Sequence, residues 1–139
     1  MIILDTNIVS ELMKSEPDKG VIKWFEILED QPVMLTVISV AELRYGVSAL
    51  PDGERKNQLD EAITDMINED FEDCILDFNL ASAEAYGILL AKLRSEGITT
   101  SQSDAMIASI ALINEAQLVT RNIRDFKHCG VSLINPFSA

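Results

Sequence analysis

The sequence predicts a three-layer α/β/α fold with a small central parallel sheet. Short apolar runs alternate with longer stretches of helical periodicity, the pattern of strand–helix–strand units that lay strands side by side with helices on both faces. The runs are too brief for helices and end on polar clusters. Acidic positions recur where a run hands over to a helix: Asp5, Glu42, Asp104, and a fourth carried by Asn122 or Asp125. In an open α/β sheet such ends converge on one crevice outside the carboxyl edge of the strands.

Residues 2–5 form the first strand, followed by a helix that starts at Thr6 or Asn7, with Ile8, Leu12 and Met13 on its apolar side, and that Pro17 interrupts. A second helix over about 18–29 buries Val21, Trp24, Phe25 and Leu28 at i, i+3, i+4 and i+7, so Trp24 reads as a core residue. After Pro32, residues 33–37 form the second strand. Ser39 is placed to cap the next helix, with Glu42 three residues on, and Tyr45 and Gly46 close or bend that helix. From Pro51 a longer helix reaches about Asp70, with Leu59, Ala62, Ile63, Met66 and Ile67 on one face. Residues 74–78 form the third strand, Asn79 caps a helix through Arg94, and Gly97 ends it. The next helix opens at Ser103 or Asp104, and its small residues Ala105, Ala108, Ser109 and Ala111 permit close approach to the sheet. Residues 118–120 and 131–134 complete the strands.

A chain of 139 residues fits one domain, residues 1–139, and is long enough to bury about two thirds of its unfolded surface. No basic leader precedes Lys14 and no apolar run approaches a membrane span, so a cytoplasmic, non-membrane protein is expected. Cys74 and Cys129 lack the spacing of a zinc site and read as reduced thiols. With 11 basic against 23 acidic residues the net charge is −12, which excludes nucleic-acid binding by electrostatics alone. Any such role is local, with Arg44, Arg121, Arg124 and Lys127 as a small basic rim, and the acidic surface favours a basic partner.

Each acid has an innocent explanation taken singly. Asp5 caps a helix, Glu42 completes a capping box, Asp104 complements a helix dipole and Asp125 begins a turn. Taken together they form a carboxylate cluster, which needs a cation or shared protons to hold it, and an oxygen-only donor set suits Mg²⁺ or Mn²⁺. Thr120 and Asn122 add neutral groups at the end of a strand. A receiver-like phosphoacceptor module needs a Lys at the end of its last strand, and VSLINPF has none. A phosphotransferase with an Asp nucleophile wants a second Asp two residues later, and Asp5-Thr6-Asn7 lacks it. His128, the only His, belongs to no Ser/His/Asp arrangement and reads as surface or structural.

MIILDTN, ISVAELRYG, SQSDAMIASIA and LVTRNIRDF, in that order and ending on VSLINPF, resemble the PIN-domain ribonucleases, and among them the VapC toxins of bacterial toxin–antitoxin pairs with their FitB-like and plasmid-stability relatives. The resemblance spans nearly the whole chain. It implies an α/β/α sandwich and a Mg²⁺-dependent endoribonuclease, with Mn²⁺ as the alternative ion. It assigns Asp5, Glu42 and Asp104 as metal-binding acids. Asn122 stands where some relatives have Asp, and Asp125 is the other candidate for the fourth acid. Thr6, Asn7, Thr120 and Asn122 would support the acids, and Arg44, Arg121 and Arg124 would touch RNA. The resemblance also implies a homodimer held by a cognate antitoxin that pushes a peptide segment into the active-site groove, with DNA reached only through that antitoxin. The alternative is a PIN-like domain that has lost catalysis and docks a partner.

Overall fold

Ile2, Ile3 and Leu4 are sealed from solvent on both faces of their strand, as only a central strand covered by helices on either side can be. The computed structural model describes residues 1–138. Its elements run β1 (Ile2–Leu4), α1 (Thr6–Leu12), α2 (Lys19–Ile27), β2 (Val33–Thr36), α3 (Val37–Ser48) and α4 (Glu54–Asp65), which passes into a π-helical turn (Met66–Asp70). They continue as β3 (Ile75–Leu76), α5 (Leu80–Ser95), α6 (Gln102–Ile113), β4 (Gln117–Val119), α7 (Ile123–Phe126) and β5 (Leu133–Ile134). The strands pair in parallel in the order β3-β2-β1-β4-β5.

Alternation along the strands divides the apolar residues between two cores. Ile3, Met34 and Leu118 face one way, against Leu89 and Leu93 of α5 and Ile107 and Ala108 of α6. Ile2, Leu4, Leu35 and Val119 face the other, against Ile8 and Val9 of α1, Leu43 and Val47 of α3 and Ile63 of α4. Period-two alternation is what sends neighbouring residues to opposite faces. The α/β/α layering expected from the sequence is therefore present.

The chain builds β1, β2 and β3 in one direction and then crosses back to place β4 on the far side of β1. Such a reversal leaves a crevice at the carboxyl ends of the two strands that flank it, here β1 and β4. Leu4 is paired with Val119, so Asp5 and Thr120 leave the sheet side by side.

Several boundaries differ from expectation. α3 starts at Val37 with Thr36 as its cap, the Thr36 hydroxyl accepting from the Ser39 amide at 3.2 Å. Ser39 lies inside the helix and is buried, and the helix does not close at Tyr45 and Gly46 but continues to Ser48. The long helix begins at Glu54 and loses α-helical register at Met66. α6 opens one residue early because Ser101 caps it, accepting from the Asp104 amide at 3.1 Å. β3 and β5 are shorter than their apolar runs, and α7 is a single turn with no periodicity to announce it.

Candidate active site

Asp5 is 5 % exposed and is held by three donors. The Thr6 amide donates to Oδ1 at 2.8 Å, while the Thr120 hydroxyl at 2.8 Å and the Asn7 amide at 3.2 Å donate to Oδ2. Asp5 is thus the N-cap of α1, as its innocent reading required, yet its second oxygen is tied to the end of β4. Burial pushes its pKa up, bonds from Thr120 and Thr6 pull it down, and the Glu42 charge raises it again. An aspartate needs no such bridge to cap a helix.

Asn7 closes the junction from the other side: its carbonyl accepts from the Arg121 amide at 3.2 Å and its Nδ2 reaches Thr120 Oγ1 at 3.4 Å. Thr120 Oγ1 also accepts from the Asn122 amide at 3.0 Å. Asp5, Asn7 and Thr120 therefore fix the start of α1 against the end of β4.

Glu42 enters the same cleft from α3 and Asp104 from α6. Thr6 Oγ1 lies 2.7 Å from Glu42 Oε1 and 2.8 Å from Ser39 Oγ. Having one proton, it donates to the carboxylate and accepts from Ser39. With Thr36 as cap, Glu42 sits six residues into α3, beyond the third helical position from which a capping box reaches back. Its capping role is excluded. Burial raises the Asp104 pKa against the lowering bond from Ser101, and the charges of Asp5 and Asp125 raise it further. No lysine or arginine forms an ion pair with Asp5, Glu42 or Asp104 among the described residues.

The cleft holds about 410 Å³ and is lined by these three acids together with Asn122 and Arg121. Asp125 does not line it; it is exposed on α7 and reaches the site through its charge on Asp104. Arg44 points to α4, donating to Asp60 at 2.8 Å and to Thr64 at 3.1 Å. Arg124, Lys127 and His128 are exposed. Trp24 is half-buried and packs on the α1 side of the sheet beside Phe25. Cys74 and Cys129 are free thiols.

Sequence reasoning missed Ser10, Glu11, Lys14 and Phe137, all of which line the cleft. Asn7, Ser10, Glu11 and Lys14 stand at i, i+3, i+4 and i+7, a polar stripe on one helical face that was available as a signal. Glu11 is buried and accepts from Lys14 at 2.9 Å and from the Asp18 amide at 2.8 Å, and these bonds hold its pKa down. Phe137 left no comparable trace, because the tail returns to the cleft only in three dimensions.

The donor set fits a hard divalent cation: all side-chain oxygens, anionic in excess, one of them buried and without a counter-ion. Among the described residues no three His, Cys, Asp or Glu side chains are drawn close enough to form a ready ligand set. The Thr6 bond holds the Glu42 carboxylate, and the Glu42 charge raises the Asp5 pKa.

The sheet is parallel, the acid-lined cleft lies at its switch point, and the PIN domain family matches residues 2–131. Plasmid stability protein StbB of Pseudomonas syringae pv. tomato is 37 % identical over 139 residues, all of both chains. VapC ribonuclease Y4jK of Sinorhizobium fredii is 33 % identical over 137 residues, 99 % of this chain and 98 % of its own. Toxin FitB of Neisseria gonorrhoeae is 34 % identical over 137 residues, 99 % of each chain. The crystal structure of FitAcB from that organism matches with a TM-score of 0.89 over 98 % of both chains at 34 % identity. The chain belongs to the PIN domain family, among its VapC-type toxins.

Proposed function

We propose that this chain is the toxin of a type II toxin–antitoxin pair, a Mg²⁺-dependent endoribonuclease that hydrolyses RNA phosphodiester bonds, with Mn²⁺ able to replace Mg²⁺. The observation that carries the reading is the meeting of Asp5, Glu42 and Asp104, from three separate elements, in one cleft where, among the described residues, none of the three forms an ion pair. Similarity to a VapC ribonuclease and to toxin FitB over nearly full length supports it.

Asp5 and Asp104 would hold the ion, and Glu42 would ligate it or orient the attacking water from the position its Thr6 bond sets. A bound divalent ion lowers the pKa of water and stabilises charge developing on phosphate oxygens. Thr120, Thr6 and Asn7 keep Asp5 Oδ1 and Oδ2 aimed, and a carboxylate fixed in advance needs no reordering when the substrate arrives. Asn122 takes the fourth place as a neutral group, with Asp125 adding charge from outside the cleft. No nucleophilic side chain is required.

A chain of net charge −12 holds RNA by shape and by the metal, so single-stranded or loop regions are the expected substrate. The same charge suits a basic antitoxin segment laid into the acidic cleft, within a dimeric, cytoplasmic complex that meets DNA only through the antitoxin. No helix among the described residues is long and apolar enough to cross a membrane. The test is cleavage of a panel of structured RNAs by metal-stripped protein in Mg²⁺, Mn²⁺ or EDTA. Cleavage with either ion and none in EDTA is expected; undiminished cleavage in EDTA contradicts the metal assignment. The absence of an acid at position 122 favours one other reading, a docking module without catalysis, which predicts no cleavage in any ion.

A further inference from the structure

The tail returns to the cleft and is clasped there. Asp18, the cap of α2, accepts from the Ser138 amide at 3.0 Å and from the Ser138 hydroxyl at 2.6 Å. It also accepts from the Gly20 and Val21 amides at 2.9 and 3.1 Å, and together these bonds hold its pKa down to about 2. The fit is close: a Cβ on Gly20 would stand 2.6 Å from the Ser138 nitrogen and 2.8 Å from the Pro136 oxygen. The clasp is also wired to the cleft wall, since the Asp18 amide donates to Glu11 at 2.8 Å.

What the clasp positions is Phe137, which lines the same cleft as the three acids. The Arg121 guanidinium lies over its ring, 4.6 Å from the centroid. Surrounded by carboxylates, Arg121 forms no ion pair among the described residues and spends its plane on an aromatic face instead. Its backbone is fixed by Asn7 and its side chain is exposed. A guanidinium seated over an aromatic ring offers a planar group on which a nucleobase stacks, and stacking needs no positive field. That matters in a chain whose charge of −12 denies it the usual electrostatic grip on RNA.

We propose that Arg121 and Phe137 form a stacking platform for an unpaired RNA base beside the attacked phosphate, held in place by the tail clasp on Asp18. The platform rests on the ribonuclease reading above and adds to it a nucleobase subsite and two positioning residues, Asp18 and Gly20. Arg121 and Phe137 touch the base and not the breaking bond, so their loss raises KM.

The test uses protein carrying Asp104→Asn, expected to leave RNA uncut, in excess Mg²⁺ with fluorescein-labelled oligoadenylate. The same oligonucleotide is made with one abasic residue at each position in turn. One abasic position should weaken binding on the order of tenfold. Arg121→Lys, which keeps the charge but not the plane, Phe137→Leu and Gly20→Ala should each weaken the intact RNA to a similar degree and erase the extra loss at that position. Circular dichroism spectra that match those of the parent protein separate this from unfolding. Abasic sensitivity that persists in Arg121→Lys and Phe137→Leu, or no abasic sensitivity at all, overturns the platform while RNA cleavage by the wild type keeps the ribonuclease reading. A wild type that cleaves no RNA overturns both.

Discussion

Asp104 stands in the first turn of α6 and lines the cleft, so its charge bears on the stability of the fold. Burial raises its pKa, and the charges of Asp5 and Asp125 raise it further, so its ionised form costs stability at neutral pH. A group with a raised folded pKa contributes stability below its unfolded pKa and loses it as pH rises through the folded one. Asp104→Asn should therefore match or exceed the wild type in urea midpoint at neutral pH without metal, the lost helix-dipole term of about 0.3–1 kcal/mol being offset. A loss above roughly 2 kcal/mol would give Asp104 a structural role beside the Ser101 cap instead. Asn122 lines the cleft and Asp125 does not. Asn122→Ala should then lower cleavage more than Asp125→Asn, which should stay within a few-fold of the wild type; the reverse order in steady-state rates would return the fourth acid to Asp125. Asp5 and Asp104 were legible because one follows a strand and the other lies in the first turn of a helix, whereas Glu42, six residues into α3, was legible only as an acid beyond an apolar run. Glu11 and Lys14 were hidden in plain helical periodicity, and Phe137 depended on a tail contact across more than a hundred residues.

At the scale of elements, α3 is the instructive case. Two hydroxyls, Thr36 and Ser39, compete for its cap, and from the sequence Ser39 with Glu42 makes the better box. The sheet decides otherwise: β2 pairs with β3 up to Thr36, so the chain leaves extended geometry there and the helix begins at once. Thr36→Ala should cost about 0.5–2 kcal/mol in thermal or urea unfolding, whereas Glu42→Gln should leave stability nearly unchanged while suppressing cleavage. Equal destabilisation by Glu42→Gln would restore its structural role. Strand order was not readable from apolar runs alone. The alternation of elements gave a parallel sheet, but the crossover that sets β4 beside β1 follows from packing, with α5 and α6 filling one face.

For the molecule as a whole, the ends of the chain meet at the cleft: β1 supplies Asp5 and the tail supplies Phe137. The Asp18 clasp links them and should leave a signature in acid. Its folded pKa is lowered from 3.8 to about 2, so its stabilisation is complete above the unfolded value and fades as pH falls through about 2. Between those values the wild type should lose melting temperature more steeply than Asp18→Asn, which carries no such group. Parallel curves for the two proteins across that window would mean the tail is not clasped in solution.

Metal occupancy and RNA cleavage measured on the same samples test the central claim most directly. Stripped wild type is titrated with Mn²⁺, free ion is read by electron paramagnetic resonance, and cleavage is followed at each point beside Asp104→Asn and Glu42→Gln. Cleavage by the wild type should rise in step with bound Mn²⁺, and both variants should stay folded while binding the ion more weakly and losing cleavage. Cleavage that is independent of bound ion, or variants that cleave as the wild type does, would contradict an active site built from Asp5, Glu42 and Asp104.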